Sequence, residues 1–237
     1  SKMEILSVAL NTGNEDNFAR LTATDAALRN RLTKDHVRAL LAEMTETDWR
    51  FVQGMWDMVN SYWGGLSEVA KRRTGVTPKK INAKLMVDAP AFVTGGYYPI
   101  KYDPQLSAAA AADEASGWDK FTATGRGATA AIRNGMTMQR QKTGNGRTLR
   151  LDVSVAFAHM RDTIRYIALS EAVDNTYRLI SQPDVQNAFL DAGVKDQHDV
   201  LRLWLKDVAS GPSPSPDALN TMSRIMKNNF TLSRLAL

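Results

Sequence analysis

The 237-residue chain contains no cysteine, which excludes disulfides, thiolate nucleophiles and cysteine-ligated zinc or iron–sulfur centres. No apolar run approaches the roughly 18 residues that a membrane-spanning helix needs. The first ten residues also lack the charged-then-apolar plan of a signal peptide. The G-x-x-x-x-G-K-[ST] loop of P-loop ATPases and helicases is missing. His36, His159 and His198 stand far apart, so no histidine pair has the spacing of a zinc hydrolase. No motif implies a cofactor or a metal.

What is present is ordinary for a globular protein, 43% apolar and 23% charged residues. The length suits one large domain, or a domain with an appendage. The net charge of +5 is unevenly spread. Lys120, Arg126, Arg133, Arg140, Lys142, Arg147 and Arg150 occupy a stretch without a single acid, which leaves the rest of the chain at about −2. Both ends read as cut, because Ile5 to Leu10 begins apolar and Phe230 to Leu237 closes on leucines without a helix stop signal.

Along the chain, Asn14 is placed to cap a helix over Glu15 to Leu21 and Thr33 one over Lys34 to Met44. Trp49, Val52, Trp56, Val59, Trp63, Leu66 and Ala70 alternate spacings of three and four, the mark of one apolar helical stripe. Thr47 is a candidate cap for that helix and Gly75 its stop. Gly64-Gly65 predicts a kink or a close backbone approach. Prolines and glycines from Thr77 to Pro104 predict a packed loop with short extended pieces, and Ala108 to Ala112 lead into a short helix ending near Gly117. Alternating residues on either side of Thr143-Gly144-Asn145-Gly146 predict a basic β-hairpin over about 136–153.

A second long helix is expected from Val153 to Ile180, with Phe157, Met160, Ile164, Ile167 and Val173 near helical spacing. Short helices follow over Asp184 to Ala192 and over Asp196 to Ala209, the latter with Val200, Leu203, Trp204 and Val208 on one side. The expected fold is mainly α: an irregular helical domain over 1–210 with two long helices and a small β-hairpin. A Pro/Ser linker at 211–216 and a C-terminal helix at 217–237 complete it.

Two segments carry a resemblance: Leu6-Ser7-Val8-Ala9-Leu10-Asn11-Thr12-Gly13-Asn14-Glu15-Asp16-Asn17, and Gly95-Gly96-Tyr97-Tyr98-Pro99-Ile100-Lys101-Tyr102-Asp103. With Leu149-Arg150-Leu151-Asp152 before a helix bearing His159, and Trp204-Leu205 in a later one, the chain resembles an internal region of large polyvalent bacteriophage or prophage proteins. Such chains string together domains of varied activity and include internal virion proteins and methylase- or helicase-like members. The resemblance implies a non-catalytic structural or interaction module, delivered or acting with DNA, in a virion or in the host cytoplasm. Its implied partners are other regions of the parent protein, with DNA or RNA as the alternative.

Among candidate sites, Arg126, Arg133, Arg140, Lys142, Arg147 and Arg150 can neutralise phosphates, against the plainer reading of a solvated hairpin. Trp49, Trp56 and Trp63 read as core before they read as a partner surface. Gly95, Gly96, Tyr97, Tyr98 and Pro99 read as a packed keystone, their tyrosines offering large buried area with polar ends. Gly125-Arg126-Gly127-Ala128-Thr129-Ala130 has the letters of a dinucleotide fingerprint without its strand-and-helix context. A local His159–Asp162 pair reads as a structural hydrogen bond before a general base, and an enzyme site near His159 is the third reading. Asp191, Asp196 and Asp199 around His198 read as a charged helix start and not as a cation site.

Overall fold

The computed structural model of the chain describes residues 1–22, 32–102 and 149–210. Those residues are mainly helical, with no β-strand among them. The helices are α1 (Lys2–Leu10), α2 (Glu15–Leu21), α3 (Lys34–Leu41), α4 (Glu46–Ser61), α5 (Trp63–Thr74), α6 (Ser154–Ile180), α7 (Pro183–Asp191) and α8 (Lys195–Ser210). The short helix after Ala108, the fingerprint at 125–130, most of the hairpin, the linker at 211–216 and the helix at 217–237 lie outside the described residues, as do Arg126, Arg133, Arg140, Lys142 and Arg147.

At its described end the hairpin is not seen. Leu149 makes one isolated antiparallel bridge to Tyr102, and the Arg150 N–H donates to the Lys101 carbonyl at 2.9 Å. Two residues on, an Asp152 carboxylate oxygen accepts from the Ser154 N–H at 2.8 Å. That bond turns the chain into α6, and residues 149–153 carry only the one bridge to Tyr102 among the described residues.

The described residues fall into two compact units, one of 1–22, 32–102 and 149–167, the other of 168–210. In the first, α1 is the central piece. Its last five residues, Leu6 to Leu10, are all buried, and it packs against α3 and α4. A helix buried around its circumference needs small or uncharged residues on every side, which Leu-Ser-Val-Ala-Leu provides.

Helix α4 lays Trp49, Val52, Met55 and Trp56 into the same core, and buries Val59 as well. Burying each such side chain contributes roughly 1.5–3 kcal/mol. Its cap is Thr45 and not Thr47. Thr45 accepts from the Asp48 N–H while the Asp48 carboxylate accepts from the Thr45 N–H at 2.7 Å, a reciprocal box that Thr47 cannot form from inside the first turn. The stripe breaks at Tyr62, ahead of Gly64-Gly65, and resumes in α5 with Leu66 and Ala70. Gly65 faces the Ile167 side chain of α6 at ordinary van der Waals distance, so a side chain and not a backbone approaches there.

Helix α6 has the expected extent, and of its expected apolar residues Met160 and Val173 are buried and Ile167 is partly buried. Phe157 and Ile164 are exposed, at 55% and 49%, while Ala156, His159, Met160, Thr163 and Tyr166 are buried. The buried face also carries polar residues, so apolar spacing alone misses His159 and Thr163 and includes the exposed Phe157 and Ile164.

In the second unit Gly193, at φ 70, ends α7 in the left-handed conformation. The exposed residues Leu203 (60%) and Trp204 (37%) belong to the face expected to be buried; His198, Leu205 and Ala209 are buried instead. His198 explains the rotation. Its Nε2 lies 2.8 Å from the carbonyl of Ile180, the last residue of α6, and its ring meets Phe189 at 5.3 Å. A buried carbonyl at a helix end must find a donor, and this histidine supplies it.

Candidate functional site

The most highly organised group of side chains joins the two segments that carry the resemblance. Between α1 and α2 the chain turns through Asn11, Thr12, Gly13 and Asn14, and every polar side chain of this turn is buried to 2% exposure or less. Each has partners. Asn11 Nδ2 donates to the Ser7 carbonyl at 2.8 Å, Thr12 Oγ1 to the Ala9 carbonyl at 2.7 Å, and Asn14 Oδ1 accepts from the Asn17 N–H at 2.9 Å. Three bonds then cross about 80 residues of sequence or close the network. Asn14 Nδ2 donates to the Gly96 carbonyl at 3.2 Å, and Asn17 Nδ2 donates to the Tyr98 carbonyl at 3.0 Å and to Asn11 Oδ1 at 3.2 Å.

The indole of Trp56 sits against both glycine turns. Its Nε1 donates to the Leu10 carbonyl at 3.0 Å. A Cβ on Gly13 would stand 2.5 Å from the ring atoms Cε2 and Cζ2, and one on Gly96 would meet Trp56 Cβ and Cγ. Gly95 adds a φ of 83, a conformation that disfavours any side chain. The Gly13 carbonyl accepts two backbone bonds, from Gly96 at 2.9 Å and Lys84 at 3.0 Å, and the Met86 N–H donates to the Thr12 carbonyl at 3.0 Å. Tyr98, 1% exposed, donates its hydroxyl to the Asp152 carbonyl at 3.2 Å. Burial pushes the Tyr98 phenol well above its ordinary range, and the Asp152 carboxylate pushes the same way.

Chemically this group is made of amides, hydroxyls, glycines and an indole. It can hold backbones in register, but it presents no acid, base or nucleophile to a cleft. Gly95, Gly96, Tyr98 and Pro99 are buried within it or beside it, and Trp49 is 4% exposed in the same core. Trp63 stands apart, half-buried on a shallow depression with Asn60, Lys80, Ile81 and Tyr97, whose roughly 10 Å³ is about the room of one water.

His159 is 7% exposed, with the Tyr97 ring centroid at 5.7 Å and the Thr163 hydroxyl 3.5 Å from Nε2. The expected partner, Asp162, engages the Arg161 guanidinium at 3.5 Å instead. Arg150, the one described member of the basic set over 126–150, pairs with Asp152 at 3.1 Å. That bond adds to the Ser154 amide and hydroxyl, which hold the Asp152 carboxyl below its usual range. Asp191, Asp196 and Asp199 form no metal-binding group with His198 among the described residues. No described helix is long and apolar enough to cross a membrane.

A count over 120–150 overlooks a second acid-free stretch. Between Glu68 and Asp88 the chain carries Lys71, Arg72, Arg73, Lys79, Lys80 and Lys84 and no carboxylate. No protein family, curated protein or solved structure matches the chain.

Proposed function

We propose that the chain is a structural and interaction module of a large phage-type polyvalent protein that travels with or acts beside DNA, the chemistry of the parent residing in its other domains. One observation carries the reading. Within the segments that bear the resemblance, Asn11, Gly13, Asn14, Asn17, Gly96 and the Tyr98 carbonyl meet in a closed packing lock, where they serve architecture. The buried histidine on α6 fits the same role, packed on the Tyr97 ring with the Thr163 hydroxyl near its Nε2.

The test is a thermal-shift screen of the whole chain against nucleoside triphosphates, a methyl donor and divalent cations. A ligand that binds only the native state at about 100 times its Kd stabilises by about 2.7 kcal/mol. For a chain of this size that raises Tm by roughly 5–10 °C. An architectural module shows no such shift. A reproducible shift that His159→Ala removes without unfolding the protein would establish a ligand site on α6 and overturn the reading.

A further inference from the structure

Lys71, Arg72 and Arg73 crowd the last turn of α5, Gly75 stops the helix at φ 75, and Lys79, Lys80 and Lys84 follow in the loop. All except Arg73 are exposed. Basic residues at a helix C-terminus complement its dipole, which accounts for the first three. It does not account for the three in the loop, five to ten residues beyond Thr74.

Nor do neighbouring acids. Glu68 lies 3.9 Å from Arg72 and Glu15 3.5 Å from Lys84, both in exposed pairs of the kind that solvent largely screens. Lys71, Lys79 and Lys80 have no ion-pair partner among the described residues. The backbone is nevertheless anchored at one end, because the Lys84 and Met86 N–H groups donate to the buried Gly13 and Thr12 carbonyls. At the other end, the Arg73 guanidinium rests 5.3 Å from the centre of the Tyr166 ring. Beside the loop, Lys80 shares its depression with the half-buried indole of Trp63 and the Asn60 amide.

We infer that residues 71–84 form a strip that binds single-stranded nucleic acid, the exposed lysines taking phosphates and Trp63 stacking a base. A cationic track on an anchored backbone with an aromatic beside it is the combination that single-strand binders use. Phosphates provide the affinity through counterion release, and any base offers a π-face to the indole. A carboxylate-bearing partner would gain from the charges but not from Trp63. The strip lies outside residues 120–150 in the sequence, and it goes beyond the architectural role.

The test uses the whole chain and a fluorescein-labelled oligo-dT of about 20 nucleotides, followed by anisotropy from about 50 to 200 mM salt. Polyglutamate and a duplex of equal length serve as competitors. Changing Lys71, Lys79, Lys80 and Lys84 together to alanine removes four exposed charges, and circular dichroism confirms the fold. Binding is expected to weaken at least tenfold at the low salt. With about 0.7 of a counterion released per single-strand phosphate contact, the slope of log K against log salt becomes shallower by about 3. Trp63→Leu is expected to cost oligo-dT about tenfold while leaving the slope unchanged, since stacking is not a charge interaction.

A variant with Arg126, Arg133, Arg140, Lys142 and Arg147 changed to alanine is the comparison. Absence of binding at low salt overturns the inference. So does binding that only this comparison variant loses, a preference for duplex, or equal competition by polyglutamate.

Discussion

Gly13→Ala and Gly54→Ala add the same methyl group and are expected to act in opposite directions. At Gly13 the new Cβ would lie 2.5 Å from two indole atoms of Trp56 and 2.7 Å from the Gly96 nitrogen. Neither neighbour can give way easily. The indole is tied to the Leu10 carbonyl, and the Gly96 N–H is itself bound to the Gly13 carbonyl. Overpacking of this kind costs about 1–3 kcal/mol. If the turn shifts to relieve it, the two backbone bonds to the Gly13 carbonyl weaken, at about 0.5–1.5 kcal/mol each. Together the loss is about 2–6 kcal/mol. Gly54 sits exposed within α4 with nothing inside 4 Å of its Cβ position, so alanine there is expected to stabilise by about 0.5–1 kcal/mol through helix propensity. Urea unfolding followed by far-ultraviolet circular dichroism and by tryptophan emission measures both. Gly13→Ala with unchanged stability, or the two variants shifting together, would refute the placement of Trp56 between the glycine turns.

Asn17→Asp is expected to be worse than Asn17→Ala, because a carboxylate would face the Tyr98 carbonyl and Asn11 Oδ1 where an amide donor now stands. Losing the donor leaves buried acceptors unpaired at about 1–3 kcal/mol, to which the aspartate adds a buried charge, as parallel urea titrations will show. In the second unit, His198→Phe keeps the ring against Phe189 but strands the Ile180 carbonyl, a loss of about 1–3 kcal/mol. His198→Gln, which restores an N–H donor, is expected to recover part of it; no difference between the two would contradict the capping role. Asp48 titrates at about 2, held down chiefly by the Lys2 ammonium and then by the Thr45 N–H and hydroxyl. Its folded value lies below the ordinary 3.8, so its stabilising effect is present above about pH 4 and fades as pH falls through about 2. Carboxyl NMR should find that value, and Lys2→Ala should raise it.

Local signals were legible in the sequence wherever one residue satisfies its own neighbourhood. Asn14 caps α2 and Thr33 caps α3, Gly75 and Gly193 end their helices, and α6 begins within a residue of its expected start. Faces were less legible. On α6 and α8 the buried sides contain His159, Thr163 and His198, whose burial depends on partners distant in sequence, such as Tyr97 and Ile180. Apolar spacing does not record such partners, so the stripes through Phe157, Ile164, Leu203 and Trp204 point to exposed surface. The Gly95 to Pro99 keystone was visible as an unusual composition. The residues it locks onto were not, because a run of asparagines near a turn has the same letters whether it caps a helix in water or spans a core.

That lock explains how the irregular loop of the first unit is held in one register. The loop from 76 to 101 has no helix or strand to fix its register, and apolar contacts alone would tolerate a slip of one residue. Hydrogen bonds do not tolerate it. Moving Gly96 and Tyr98 by one position would remove acceptors from Asn14 and Asn17, which are 1% and 0% exposed and could not turn to water. A slip that brings Tyr97 to the Gly96 position would also place a Cβ against Trp56, where only a glycine fits. The polar groups thus contribute less through their net bond energies than through the cost of every alternative, which is how a buried network specifies a single fold. By holding the Gly13 and Thr12 carbonyls in place, the same network fixes the backbone of Lys84 and Met86, and so anchors one end of the basic strip that starts at Lys71.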